Sequence, residues 1–188
     1  MIRIKIRTSA AISLVGVTHL RAMLSPSESQ NRQAQQPLPQ QASELATLAR
    51  RLRQFALAGA TPKLLQGKNI GVLRQAQDSE APLLLLRAAA ELGARVATMR
   101  WSLSQAIRPD EVQQTSRVLG RLYDAVVCLG MAPDLVREVE LAAGIPVYDD
   151  IACDEHASMR LVRGLDEELP GADNRRFVLQ ALLAERLA

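Results

Sequence analysis

The stretch Asn69-Ile-Gly-Val-Leu73 opens the pattern that decides the fold. A polar turn over 74–82 follows it, then an apolar run with helical spacing over 83–92, then Gly93 and a second short apolar run over 95–99. A strand, a turn, a helix closed by glycine and another strand together form a parallel βαβ unit. The turn after the first strand of such a unit commonly binds an anion, because a helix begins there.

The same alternation continues along the chain. Helical patterns with boundary signals cover 109–122 and 133–143, two more helical segments cover 156–165 and 174–187, and further strands are predicted over 124–128 and 145–148. Upstream, Ser43 is a candidate N-cap for an amphipathic helix that runs to Leu57 and packs on the sheet from outside. These patterns predict an α/β fold, a three-layer α/β/α domain with a mainly parallel four-stranded sheet.

Composition narrows the class of protein. The chain has 188 residues, enough for one sizeable core, and its 48% hydrophobic content is that of a globular domain. Only 3% of residues are aromatic, which disfavours stacking on single-stranded nucleic acid, so no nucleic-acid partner is predicted. The two cysteines form no CxxC pair, which favours a reducing, cytoplasmic location, and no apolar run is long enough to span a membrane.

Residues 1–41 are predicted to be a leader, and 42–188 the folded domain. The leader holds five basic residues and one acid, Glu28, so the high pI belongs to it rather than to the domain. Its charged start and short apolar stretch resemble a targeting signal, while its second half is rich in Gln, Ser and Pro and is typical of disorder. A targeting signal, a disordered extension and an upstream start with Met23 as the true initiator all stay open.

Several strings in the domain are similar to those of one known enzyme family. They are Leu64-Leu-Gln-Gly-Lys-Asn-Ile-Gly-Val-Leu73, similar to the family's first strand, and Glu91-Leu-Gly93, similar to the end of its first core helix. Thr115-Ser-Arg-Val-Leu-Gly-Arg-Leu-Tyr-Asp-Ala-Val-Val127 resembles its "ARVLSRYVDAIV" stretch, and Gly144-Ile-Pro-Val-Tyr148 with His156 resembles its last strand and "EHP" loop. On these strings the domain resembles the aspartate/ornithine carbamoyltransferase family. The resemblance implies the fold of the family's first, carbamoyl-phosphate-binding domain, with 173–188 as the family's terminal helix.

The phosphate-binding turn departs from the family. The family carries Ser-Thr-Arg-Thr-Arg there, and an ungapped alignment places Asp78, Ser79, Glu80, Ala81 and Pro82 at those positions. A phosphate would lose several charge-assisted hydrogen bonds, each worth roughly 1.5–3 kcal/mol, and would meet carboxylates instead. The resemblance therefore implies a degenerate carbamoyl phosphate site.

Other family positions are changed as well. Leu129 stands where the family has an arginine, and of its "HPxQ" loop only His156 persists. The family's amino-acid-binding domain would lie between the last two helical segments, where this chain has only Asp166–Asp173. The resemblance therefore implies a family member from which the second domain has been removed.

Each candidate site residue also has a simpler interpretation. Asp78, Ser79 and Glu80 are good capping residues for the following helix, and Arg74 is either an anion contact or a solvated arginine. The loop over 149–156 is a solvated loop, a remnant of a carbamoyl-oxygen contact by His156, or a zinc site using Cys153 and His156. No catalytic residue, metal or cofactor is predicted, because no nucleophile–base pair or phosphate-binding glycine loop is present.

Three functions remain open. The first is a carbamoyltransferase-like pseudoenzyme that acts by trimer-like self-association or by joining a true carbamoyltransferase, as the family's assembly through this domain implies. The second is a small-molecule module that binds an amine or amino acid with Arg74, Asp78, Glu80 and His156. The third is a residual carbamoyltransferase that needs a partner chain. Whether the protein is an enzyme is left undecided by the sequence.

Overall fold

The computed structural model describes residues 39–74, 81–101, 109–153, 156–168 and 173–188. Six helices and four strands lie in these ranges: α1 Pro39–Leu57, β1 Asn69–Arg74, α2 Ala81–Glu91, β2 Arg95–Arg100, α3 Pro109–Leu122, β3 Ala125–Leu129, α4 Pro133–Ala143, β4 Val147–Asp149, α5 Met159–Glu168 and α6 Asn174–Leu187. Residues 1–38, and with them most of the predicted leader, lie outside the described residues.

The four strands form one parallel sheet in the order β2-β1-β3-β4. β3 is buried along its whole length, as an apolar central strand should be, whereas β2 forms an edge and is largely exposed. β4 forms the other edge of the sheet and begins directly after Pro146. Because Pro146 precedes the strand, its missing N–H removes no hydrogen bond between strands. The predicted parallel α/β sheet is confirmed.

Two cores cover the two faces of the sheet. Ile70 and Val72 of β1 point into the core shared with α1, α2, α5 and α6, while Leu73 belongs to the core shared with α3 and α4. Alternate residues of one buried strand thus feed both cores, as the period of two in a strand requires. The predicted three-layer α/β/α architecture is confirmed.

The first helix differs from its prediction in two ways. It begins at Pro39, so Ser43 lies inside the helix, where its carbonyl accepts a bond from the Thr47 hydroxyl at 2.9 Å, and is not the N-cap. Proline suits the first turn because no helical partner is lost there. α1 also packs mainly on α6 rather than directly on the sheet.

α6 is buried on nearly all sides, and α1 covers one of them. Every residue from Arg176 to Ala184 is buried. A helix that is apolar around most of its surface needs neighbours on several sides. α1, α2 and α5 all pack against α6 and supply them. In this structure α6 therefore serves as a core element.

None of the helices in the described ranges is both long enough and apolar enough to cross a membrane. The longest, α1, contains Glu44, Arg50, Arg51 and Arg53 within its 19 residues.

Candidate functional site

The carboxyl edge of the sheet brings together three predicted positions. In register, Arg74 at the end of β1 lies between Arg100 of β2 and Leu129 of β3. His156 follows β4 and lies close enough to Asp150 for that carboxylate to influence its pKa. Ligands of parallel sheets bind at this edge, so the fold places the predicted residues where a site would be.

Three of the predicted site residues are not among the described residues. Asp78, Ser79 and Glu80, in the turn between β1 and α2, lie outside the described residues. Their predicted role in a degenerate phosphate site therefore remains a prediction.

Leu129 is a core residue. It is only 6% exposed and belongs to the core formed with α2 and α6. The end of β3 thus offers an apolar side chain rather than a cation to any ligand at this edge.

Asp150 organises the loop after β4. Its carboxylate Oδ1 accepts the backbone N–H of Gly130 at 2.7 Å, so the first amide after β3 is bonded to a negative charge. The same oxygen accepts the Cys153 thiol at 3.3 Å, and the Asp150 N–H donates to the Cys128 carbonyl at 2.9 Å. Asp150 therefore joins the ends of β3 and β4 through two bonds, and a third bond, to Cys153, lies within the loop.

The backbone of Asp150 is in the left-handed region, with φ of 47°. Among residues other than glycine, aspartate and asparagine tolerate this region best. The conformation lets the chain turn back over β3, and the Cys153 N–H closes the turn by donating to the Asp150 carbonyl at 2.8 Å. The carboxylate is thereby held over the amide of Gly130.

His156 is neutral and has a defined tautomer. Its Nδ1 accepts the backbone N–H of Ser158 at 3.1 Å and lies 2.8 Å from the Ser158 hydroxyl. Because a backbone N–H can only donate, the proton of the neutral ring is assigned to Nε2. Burial lowers the pKa of His156, and Asp150 opposes that shift without reversing it. The imidazole therefore presents one N–H donor and no positive charge near neutral pH.

Neither cysteine has the surroundings of a nucleophile. Burial, reinforced by Asp149 and Asp150, raises the pKa of the Cys128 thiol to about 12, so it stays protonated. Cys153 is half-buried, and its thiol faces the Asp150 carboxylate. A thiolate would be repelled by that charge.

The described residues contain no group of three or more His, Cys, Asp or Glu side chains placed to hold a metal ion. Asp154 and Glu155, which belong to the zinc interpretation of this loop, lie outside the described residues.

Two structural contacts at this edge were not predicted from the sequence. Arg175, in the first turn of α6, donates to the carbonyl of Ala152 and ties the loop to the last helix. This contact depends on which segments pack together, so no local pattern indicates it. Ser158 orients His156 from two residues away, in the position before α5. That contact is local, and the tolerance of aspartate for a left-handed backbone could likewise have drawn attention to Asp150.

Comparison with solved structures places the fold among carbamoyltransferases. Ornithine carbamoyltransferase from Burkholderia thailandensis E264 matches 70% of this chain with a TM-score of 0.60 at 14% identity, and the same enzyme from Pyrococcus furiosus matches 68% with a TM-score of 0.57 at 21% identity. The catalytic subunit of M. jannaschii aspartate transcarbamoylase matches 71% with a TM-score of 0.58 at 20% identity. The resemblance read from the sequence is thus confirmed at the level of the fold.

The matched region is less than half of each of those chains, at 46%, 42% and 44% of their lengths respectively. This extent is consistent with a single domain. No protein-family model matches the sequence.

Proposed function

We propose that this chain is a carbamoyltransferase-like domain without transferase activity, which acts by associating with copies of itself or with a carbamoyltransferase. The observation that carries the proposal is the Asp150 carboxylate bonded to the Gly130 amide at 2.7 Å. A phosphate at this edge would meet a negative charge at the amide after β3. Leu129 beside it supplies no compensating cation.

Two surface features support association. Val118 and Leu122 are 53% and 60% exposed on α3, one of the helices that cover one face of the sheet. β2 is an edge strand with four exposed residues of six. One fold neighbour is itself described as a catalytic subunit, the word for a chain that works within an assembly.

Ligand titration tests the loss of the phosphate site. We expect no saturable heat and no change in melting temperature when carbamoyl phosphate or inorganic phosphate is added to millimolar concentration. Micromolar, saturable binding of carbamoyl phosphate would overturn the proposal and restore the transferase interpretation.

Asp150→Asn is the matched variant for the same titration. Asparagine accepts the Gly130 N–H and tolerates the left-handed backbone, so the loop should persist while the charge is lost. When the titration of both proteins is extended above the millimolar range, we expect the apparent Kd for phosphate to be about fivefold lower for this variant, the effect of roughly 1 kcal/mol that a unit charge exerts at 4 Å in water. Equal affinities would show that Asp150 does not exclude the anion.

Sedimentation tests the association. The chain alone, and mixed with ornithine or aspartate carbamoyltransferase, should give a species heavier than the monomer in at least one case. A monomer at high micromolar concentration that leaves the sedimentation of both enzymes unchanged would overturn this part of the proposal.

A second function is favoured by the charges at the same edge. Asp149 ends β4 and Asp150 follows it, and the neutral His156 offers an N–H donor near Asp150. Carboxylates with a neutral donor suit an amine or an amino acid better than a phosphate. Calorimetric silence across a panel of amines and amino acids would exclude this function.

A further inference from the structure

The outer side of α3 carries a row of exposed side chains at helical spacing. Glu111, Thr115, Val118 and Leu122 follow one another at intervals of four, three and four residues, and all four are exposed. This spacing places them along one stripe, as in the contact seam of two paired helices. We call these four residues the α3 row.

The α3 row points away from α4. A Cβ atom on Gly120 would lie 2.0 Å from the Ala143 carbonyl oxygen, so Gly120 marks the side of α3 that packs on α4. At about 100° per residue, Val118 and Leu122 each lie about 160° around the helix from Gly120. Because α4 packs against β4 at one edge of the sheet, the side of α3 opposite α4 is directed toward the other edge, at β2.

The neighbouring part of that edge is also apolar. Ala97 of β2 is exposed, and Met99 and Tyr123 are half-buried, with the Tyr123 hydroxyl 3.7 Å from the Met99 sulfur. Gly71 lies beneath them, since a Cβ there would be 3.2 Å from the Tyr123 ring and 3.3 Å from the Met99 methyl. Apolar surface therefore extends from the α3 row onto the edge of the sheet.

Charge along α3 indicates what covers this surface. Glu111 lies in the first turn and Arg121 in the last, both are exposed, and neither forms an ion pair within the described part of the chain. A second α3 lying antiparallel would place its Arg121 near Glu111 and its Glu111 near Arg121. The two helix dipoles would also be antiparallel, an arrangement in which they attract each other.

We propose that the α3 row is a self-association face, which pairs antiparallel with the α3 row of a second copy of this chain about a twofold axis. The pairing is isologous, so each attractive contact occurs twice. This inference rests on the proposed function, because it names the partner and the surface of the association.

A mixing experiment with charge reversals tests the antiparallel arrangement. E111R places arginine opposite Arg121 of the second copy, and R121E places glutamate opposite Glu111, so each variant alone should dimerise more weakly than the parent. Mixed together, the two variants restore both opposite-charge pairs, and a heterodimer should form more tightly than either homodimer. Sedimentation equilibrium with one variant labelled measures all three affinities.

A pair of leucine substitutions tests the location of the face. L122S should weaken dimerisation by at least about tenfold, since a buried leucine is lost twice per dimer. L141S is the matched control, because Leu141 is 78% exposed on α4 and lies outside the α3 row. Circular dichroism checks that both variants remain folded.

The outcomes separate this inference from the function on which it rests. A dimer that responds to L122S and to charge mixing but not to L141S supports the α3 row. An oligomer that ignores L122S and the charge reversals overturns the α3 row while the association proposal survives. A chain that is monomeric and binds neither carbamoyltransferase overturns both.

Discussion

At the scale of single residues, Asp150 combines a left-handed backbone with a carboxylate that bonds the Gly130 amide. Alanine at this position would lose the bond to the Gly130 amide and would pay the left-handed backbone cost of about 1–2 kcal/mol. We therefore expect Asp150→Ala to lower the free energy of unfolding by roughly 2.5–5 kcal/mol, since a bond to a charged group adds about 1.5–3 kcal/mol. Asp150→Asn should lose less than about 1 kcal/mol. Urea denaturation of both variants measures the difference, and equal losses would contradict this role for Asp150.

The burial of His156 predicts how the free energy of unfolding changes with pH. Burial lowers its pKa in the folded protein, so the unfolded chain takes up a proton on this ring more readily as the pH falls below the ordinary value of 6.5. The contribution of His156 to stability is therefore present above pH 6.5 and is lost as the pH falls through the lowered folded value.

The matched variant for this prediction is His156→Asn, whose Oδ1 can accept the Ser158 N–H in place of Nδ1. Free energies of unfolding measured at pH 7 and at about pH 5.5 should fall more steeply for the parent than for the variant. Parallel pH dependences would show that His156 is not the titrating group.

At the scale of elements, the crossing of α3 and α4 depends on one missing side chain. The Ala143 carbonyl occupies the space that a Cβ on Gly120 would need, at 2.0 Å. Gly120→Ala must push the two helices apart, and we expect a loss of about 1–3 kcal/mol, as in other overpacked contacts.

Gly164 provides the control for that substitution. It lies in α5, and a Cβ there would meet nothing within 4 Å. Gly164→Ala should stabilise the protein by about 0.5–1 kcal/mol, because alanine is the better helix former. The melting temperature and the urea midpoint should therefore both fall for Gly120→Ala and both rise for Gly164→Ala. Shifts of the same sign would refute the close crossing at Gly120.

The junction of α2 and α6 is held by an ionic cluster around the buried Arg176 guanidinium, whose partners Glu91 and Asp173 are 27% and 50% exposed. Glu91 accepts bonds from Arg176, which is 8% exposed, and from Gln180 at 2.8 Å, while Arg176 also bonds Asp173 at 3.0 Å. Glu91→Ala would leave a buried guanidinium without its main partner, and we expect a loss of roughly 3 kcal/mol.

Arg87→Ala is the control for this cluster, since Arg87 pairs with the same carboxylate at 3.0 Å from a side chain that is 58% exposed. An exposed pair one helical turn apart contributes only about 0.3–0.5 kcal/mol. Chemical denaturation of Glu91→Ala and Arg87→Ala gives the loss in free energy of unfolding for each variant. The difference measures how much more the buried partner Arg176 contributes than the exposed partner Arg87. Similar losses would mean that the Arg176 contact does not anchor α6.

The sequence predicted those elements best that carry their own boundary signals. α3 and α4 begin at prolines and have the predicted bounds, and α6 matches its predicted bounds as well. α1 begins four residues before Ser43, because serine and proline are both acceptable helix starts and the local sequence does not select between them. Local pattern thus determined the elements but not the choice between equivalent starts.

The candidate site was predictable only in part, for the same reason. Parallel topology alone brings Arg74 and Leu129 together at the carboxyl edge, as expected. The bond from Gly130 to Asp150 spans 20 residues and the bond from Arg176 to Glu91 spans 85. Contacts of that kind depend on the packing of whole layers, which hydrophobic periodicity does not specify.

At the scale of the described domain, the last helix completes the first core. α6 contacts α1, α2 and α5, and the Tyr148 hydroxyl of β4 donates to the Leu182 carbonyl at 3.3 Å. The core that begins at Leu45 is therefore closed by residues up to Leu187. Local stability against unfolding should be greatest in α6 and β3 and least along the open edge at β2.

Amide hydrogen exchange tests this distribution across the chain. β3 and α6 are buried along most of their length, so their amides should exchange only on global unfolding. Along β2, Arg95 donates to the Lys68 carbonyl and Trp101 to the Arg74 carbonyl, so the odd-numbered amides face β1. The amides of Val96, Thr98 and Arg100 then point outward and should exchange much faster than those of Ala97 and Met99. Because strand amides alternate in direction, this two-residue pattern is the signature of an uncovered edge, and uniform protection along β2 would contradict it.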